Sequence, residues 1–185
     1  RVKSVLIEAG VNLEVIETGT ATTALAAAES LGCLVDQIAK SIIFQGSQTG
    51  ALYLFVTAGA QRVDLDRAAG LAGEPLVKAE PTDIRTITGF SIGAVSPVGH
   101  LTPISTFFDA FLMQFPIIYA AAGTPIHVFG CPPAIMQSLC EGTSDAIGEP
   151  LGAAFDKHYV ALVSTETAGF YAGIAELITK LSERK

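Results

Sequence analysis

Apolar positions along the first part of the chain alternate between two periods. Val2, Val5, Leu6 and Ala9 recur at helical spacing and Gly10 follows, which predicts an amphipathic helix over residues 1–9 with a glycine stop. Val11 to Ile16 then alternates as a strand does. Thr22 or Thr23 caps a predicted alanine-rich helix from Ala24 to Leu31, and Gly32 is the left-handed residue that ends it. Val35 to Ile38 reads as a short turn. The runs Ser41 to Gln45 and Ala51 to Thr57, β-rich and separated by Gly46 to Gly50, form the clearest hairpin in the sequence. Asp64 to Gly73 is read as helix, Pro75 to Ala79 as a short strand, and Pro81 to Thr88 as a helix with proline in its first turn and Gly89 at its end.

The segment Gly89-Phe-Ser-Ile-Gly-Ala-Val-Ser-Pro-Val-Gly99 breaks both periods. It is rich in glycine without being polar, as expected of a buried backbone wall beside a ligand. After it come an apolar segment at Ile104 to Phe108, a helical turn near Asp109 to Gln114, strands at Ile117 to Ala122 and Ile126 to Phe129, and a helix opening at Pro132-Pro133. Strands and helices mix without strict βαβ alternation. The expected fold is therefore α+β, a mixed, largely antiparallel sheet flanked by helices. Gly142 to Gly152 is the one linker-like stretch. Phe170, Ile174, Leu177, Ile178 and Leu181 form an apolar stripe on a C-terminal helix, with Glu176, Lys180 and Glu183 opposite.

A chain of 185 residues, 50% hydrophobic and 16% charged, is long enough to bury about 70% of its unfolded surface in one core. That excludes a disordered chain and a small disulfide scaffold. The mean hydropathy of +0.48 raises the question of a membrane. The longest apolar window, residues 104–123, is broken by Asp109, Gln114 and Pro116, whereas a span needs roughly 20 mainly apolar residues. No charged, apolar and small-residue leader follows Arg1. The expectation is a soluble, cytoplasmic domain without a membrane partner. Cys33, Cys131 and Cys140 include no CxxC pair and are read as buried apolar thiols. A net charge of −7 disfavours a grip on long nucleic acid by counterion release, so no DNA partner is expected. A few local cations still suffice for one nucleotide.

His100, His127 and His158 lack HExxH or Cys/His spacing, so neither a metal nor an organic cofactor is expected. There is no GxSxG elbow, and Gly46 to Gly50 lacks the GK[ST] ending of a phosphate-binding loop. One cation and one loop remain. Lys40 stands between Ile38-Ala39 and Ser41-Ile42-Ile43, at the entry of an apolar strand. It reads either as a snorkelling surface lysine or as a clamp for phosphate or carboxylate at a pocket mouth. In Gly93-Ala94-Val95-Ser96-Pro97, glycine allows close backbone approach and proline fixes the exit. The segment reads as a tight turn or as a set of N–H donors for a carbonyl oxygen.

Several segments, in order, resemble one family. They are Thr22-Thr23 before an alanine-rich helix, Leu31-Gly32, Gln37-Ile38-Ala39-Lys40-Ser41, Gly59 with Arg62-Val63-Asp64, Thr88-Gly89-Phe90, Gly93 to Gly99, Thr102-Pro103, Asp109, and Tyr119 to Gly123. Together they are similar to the YbaK family, the editing domains inserted in bacterial prolyl-tRNA synthetases and their free-standing relatives. The resemblance covers residues 1 to about 148, which divides the chain into an editing domain, 1–148, and an extension, 149–185, with its amphipathic helix packed on the same domain. It implies a trans-acting hydrolysis of the ester joining a wrong amino acid to the 3′ end of tRNA, usually proline tRNA. The lysine matched by Lys40 then contacts the phosphate near the terminal adenosine. The loop matched by Gly93 to Pro97 approaches the aminoacyl group, making Lys40 and Gly93 the candidate catalytic pair and Ala94, Val95, Ser96 and Pro97 substrate-binding.

Cysteine-directed members resemble one another in a Ser-Gly-Gly-Lys-Arg-Gly segment followed by aspartate. Here the matching stretch is Ala121-Ala-Gly-Thr-Pro-Ile126, then His127-Val128. Ala121, Gly123 and His127 are therefore candidate substrate-binding residues of a site for a small, alanine-like side chain. Lys3, Arg62, Arg67, Lys78 and Arg85 are scattered, so capture of the acceptor end is expected to be weak or helped by a synthetase. Two other functions fit the same residues: a non-catalytic module that holds an aminoacylated tRNA end, and a hydrolase of small-molecule esters.

Overall fold

The first helix, α1 (Val2–Glu8), ends as its sequence predicts, and its ending consumes the start of the expected strand. The N–H of Gly10 bonds the carbonyl of Ile7 at 2.9 Å and that of Val11 bonds Leu6 at 2.8 Å. These two bonds close the helix, and Val11 is buried as the apolar residue of that cap. The strand predicted over Val11 to Ile16 is thus reduced to β1 (Val15–Glu17), which pairs with only three residues, Phe129 to His127.

The computed structural model describes residues 1–141 apart from 12 and 20. The domain boundary placed near 148 and the helix expected over Phe170 to Leu181 lie outside the described residues. After β1 come α2 (Ala24–Leu31), β2 (Ile38–Gly46), β3 (Leu52–Ala58), α3 (Leu65–Ala72), β4 (Leu76–Lys78) and α4 (Pro81–Thr88). The last elements are β5 (Ser105–Phe108), β6 (Ile118–Thr124), β7 (His127–Cys131) and α5 (Pro133–Glu141). Of the two candidate caps, Thr23 is the one used: its hydroxyl accepts from the Ala26 N–H at 3.1 Å. No helix among the described residues is long and apolar enough to cross a membrane.

The seven described strands form one sheet in the order β1-β7-β6-β2-β3-β5, with β4 also on β2. Only β2–β6 and β3–β5 are parallel; β1–β7, β6–β7, β2–β3 and β2–β4 are antiparallel. This is the mixed, largely antiparallel α+β fold read from the sequence. Leu54, Val56, Ile118 and Phe129 are fully buried in the sheet, beneath Leu6 of α1, Met136 of α5 and Leu112 of a 3-10 turn. Cys131 and Cys140 are buried in that core and Cys33 is half-buried. Burial pushes the Cys131 thiol up to about 12, so it is an inert apolar group at neutral pH.

The β2–β3 hairpin depends on a residue that its own sequence does not contain. Glu74, buried in the loop before β4, accepts the Thr49 hydroxyl at 2.5 Å and the Tyr53 hydroxyl at 2.8 Å. It also accepts the N–H groups of Gln48 and Thr49 at 2.8 and 3.1 Å. The Thr49 hydroxyl above all, with the Gln48 N–H and the Tyr53 hydroxyl, holds this carboxyl down at about 2, against an ordinary 4.5. Because the folded value lies below the unfolded one, the stabilisation is complete above 4.5 and is lost as pH falls from there toward 2. Glu74→Gln is expected to lower the urea midpoint at neutral pH. It should also flatten its dependence on pH below 4.5, as equilibrium unfolding at several pH values will measure.

Candidate active site

Strand β2 carries Lys40 as its third residue, inside the sheet rather than at its entry, because Ile38 and Ala39 already pair in parallel with Tyr119 and Ala120 of β6. On the other edge Lys40 stands opposite Thr57 of β3. Since β3 occupies that edge throughout, β6 and β4 share the remaining one, β6 at Ile38 and Ala39 and β4 at Phe44 to Gly46. Between them no strand among the described residues pairs with Lys40 to Ile43. The Ser41 hydroxyl is buried there without a hydrogen-bond partner among the described residues.

The Lys40 ammonium is half-buried and donates to the carbonyl of Gln61 at 2.6 Å. That loop is fixed in turn, with the Ala60 N–H on the Asp36 carboxylate at 3.0 Å and the Gln61 N–H on the Ala58 carbonyl at 3.0 Å. Burial, and then the charge of neighbouring Arg62, draw the Lys40 ammonium below the usual lysine range, while Asp36 opposes the change. A lysine drawn down by burial and by a second positive charge gains when an anion comes to it. Thr57 is tied down from beneath. Its hydroxyl and the Ala58 N–H bond the Asp109 carboxylate at 3.2 and 3.3 Å, and the same carboxylate caps the 3-10 turn through the Phe111 N–H at 2.9 Å.

The Gly89 to Gly99 segment is the wall its composition predicts. Ala94, Val95, Ser96, Pro97 and Val98 are all buried, and Gly93 before them is exposed. Gly93 adopts φ +81°, and no atom lies within 4 Å of the place a Cβ would occupy. The turn reading is met by this positive φ, and the open space at Gly93 leaves the backbone accessible. From Gly93 onward the Ala94 N–H bonds Ser91 O at 3.0 Å and the Val98 N–H bonds the Ser96 hydroxyl at 3.3 Å. The Ser96 side chain points into the protein, leaving the backbone as what the loop presents at Gly93.

The end of β6 lies against this loop. Gly123 has φ +94°, and a Cβ there would stand 2.8 Å from the Phe90 ring, so only glycine lets the strand pass under the loop's first residues. Ala121 follows Ala120, the partner of Ala39, so Ala121 and Lys40 succeed a paired couple on adjacent strands. Ala121 itself pairs with Val128 of β7. Fold and register thus gather Lys40, Ala121, Gly123 and the Gly93 loop on neighbouring elements. His127 stands one strand further out, opposite Thr124 and Glu17, with its Nδ1 at 2.6 Å from the Thr124 hydroxyl. No hydrogen bond among the described residues ties it to Lys40 or the loop. No three His, Cys, Asp or Glu side chains among the described residues stand close enough to share a metal.

A mixed sheet of this topology is the fold of the solved editing domains that the chain resembles. The chain belongs to the aminoacyl-tRNA editing domain family, whose model matches residues 18–138. Editing is hydrolysis of the ester between an amino acid and the 3′ end of tRNA, so the protein is a hydrolase acting on aminoacyl-tRNA. It is similar to Bacillus subtilis YwhH, 31% identical over 108 residues, 58% of this chain and 68% of that protein. It is also 29% identical over 116 residues, 62% of this chain, to 70% of EbsC from Enterococcus faecalis, whose name proposes a Cys-tRNA(Pro)/Cys-tRNA(Cys) deacylase. A solved structure presented as a trans-editing enzyme for prolyl tRNA synthetase superposes with a TM-score of 0.71 at 41% identity, over 76% of this chain and 89% of that one.

Proposed function

We propose that the protein deacylates proline tRNA carrying a small, alanine-like amino acid, working in trans beside a prolyl-tRNA synthetase. The observation that carries this reading is the Ala121–Val128 pair, next along β6 from the residues that register with the Lys40 strand. Two apolar side chains there offer no hydrogen bond to a thiol, so selection rests on size. The names of the solved relative and of EbsC favour proline tRNA. The EbsC name also points to cysteine, and the pair Ala121–Val128 is what argues for alanine here. The editing domain in this reading is residues 1–148, and the extension 149–185 takes no part in the chemistry.

Lys40, with Arg62 beside it, holds the phosphate near the terminal adenosine. The exposed backbone at Gly93 polarises the ester carbonyl, while Ala94 to Pro97 form the buried support behind it. Ala121 and Gly123 bound the side-chain space, and His127 lines its outer rim. Water attacks the carbonyl carbon, the bond to the ribose oxygen breaks, and free amino acid and uncharged tRNA leave. An aminoacyl ester is activated by its neighbouring ribose hydroxyl. Positioning and carbonyl polarisation therefore suffice without a nucleophilic side chain.

A deacylation panel of proline tRNA charged with alanine, cysteine, serine and proline tests this. Alanine is expected to leave about tenfold faster than cysteine, the lower end for one heavy group in an apolar pocket. Exclusive release of cysteine would overturn the alanine reading.

A further inference from the structure

His100, which lies outside every motif considered for chemistry, sits directly behind the Gly93 loop. Its Nε2 is 2.7 Å from the carbonyl of Ser96. A carbonyl only accepts, so Nε2 carries the proton and Nδ1 is the bare lone pair. That Nδ1 is buried with no hydrogen-bond partner among the described residues. The ring meets Phe90 edge to face at 6.0 Å, and the Arg1 guanidinium lies 4.3 Å over the other aromatic while donating to Gly89 O at 2.9 Å. The next carbonyl, that of Pro97, accepts the Cys140 thiol of α5 at 3.6 Å. Successive carbonyls of the loop are therefore gripped from opposite elements, and His100 supplies the stronger grip.

We propose that His100 is a positioning residue for deacylation: by holding the Ser96 carbonyl it fixes the backbone of the Gly93 to Pro97 loop in the orientation that meets the ester. This rests on the role given to the loop above. The Nε2 donor is present in both protonation states, so what a second proton changes lies at Nδ1. A second proton would place an N–H at Nδ1 where no acceptor stands, in a partly buried ring already facing the charge of Arg1. Its other contacts, Phe90 and the Ser96 carbonyl, are uncharged, and no carboxylate among the described residues figures among the charges acting on it. Burial first, then Arg1, pull the ring below 6.5, while its bond to Ser96 pulls upward. At neutral pH the ring sits undisturbed on Ser96; in acid the unpaired N–H at buried Nδ1, facing Arg1, displaces the ring and the loop carbonyl with it.

The test uses the full chain and two readouts. In the first, kcat and KM are measured across pH on the best ester of the panel, for wild type, His100→Gln and His100→Leu. Glutamine can still donate to the Ser96 carbonyl but does not titrate. It is expected to keep neutral activity and to lose the acid-side fall in kcat that wild type shows below pH 6.5. Leucine is expected to lose about tenfold in kcat at neutral pH with KM little changed, the effect of one hydrogen bond that acts through orientation, and to converge on wild type in acid. In the second, amide spectra of the substrate-free protein are followed through the same pH range. The Gly93, Ala94 and Val95 amides should move with the His100 ring in wild type and stay still in His100→Gln.

An acid limb retained in His100→Gln, or loop amides that ignore the His100 titration, would overturn the proposal even if deacylation is robust. Loop amides that follow His100 in a protein inactive on every ester would uphold the brace and sink the substrate reading instead.

Discussion

Lys40→Ala is expected to slow deacylation roughly 30- to 150-fold, the loss of about 2 to 3 kcal/mol that accompanies removal of a charged hydrogen-bonding group from a transition state. The fold should be preserved. The ammonium is half-buried, and its partner within the protein is the Gln61 carbonyl, which the neighbouring bonds of Ala60 and Gln61 keep in place without it. Lys40→Arg is not a neutral control, because a broad planar fork replaces the compact ammonium that reaches the Gln61 carbonyl. Single-turnover rates, read beside thermal melts of the same samples, check both halves. Wild-type rates on every ester that the parent hydrolyses would remove Lys40 from the site.

Gly93→Val should produce a larger loss, about 100-fold or more, because a side chain at this point holds the ester away from the backbone and displacement of about 1 Å is enough for that effect. Its cost in stability is of a different kind. Nothing lies within 4 Å of a Cβ at this position, so no packing is disturbed in the unliganded protein. The φ of +81° nevertheless strains any side chain. About 1 to 2 kcal/mol is expected from that backbone strain, or roughly 2 to 8 °C in melting temperature for a chain of this size. Gly93→Ala carries the smaller steric block and the same strain, so the two variants separate approach from conformation. An unfolded variant would assign the glycine to the turn alone, and full activity in a folded one would take the loop out of the site.

Residues that act through near neighbours were legible in the sequence. The Gly93 to Gly99 loop showed itself by being glycine-rich and apolar together, and the structure buries Ala94 to Val98 accordingly. Lys40 stood out as a cation in an apolar run. The hairpin Ile38–Gly46 to Leu52–Ala58 lies where its glycine-bounded turn placed it, although β2 begins earlier than Ser41 because a distant strand, β6, extends it. The helix ends at Thr23 and Gly89 were equally local. Val11 shows the opposite limit. Its alternation with the following residues spoke for a strand, and two hydrogen bonds to the preceding helix outweighed it.

What the sequence by itself determined, then, was the set of elements, the α+β class, the candidate cation and the loop, since helical and strand periods, caps and glycine turns are set by contacts a few residues long. Tertiary structure alone decided which strand runs beside which, and with it that Ala121 and Gly123 come to Lys40 and Phe90. It also decided that Glu74 closes a hairpin 25 residues away through Thr49, that Asp109 fastens Thr57 across 52 positions, and that His100 stands behind Ser96. The physical reason is that a carboxylate or an imidazole carries no period. Its role is fixed only when burial removes water and leaves particular hydroxyl, N–H and carbonyl groups as its partners.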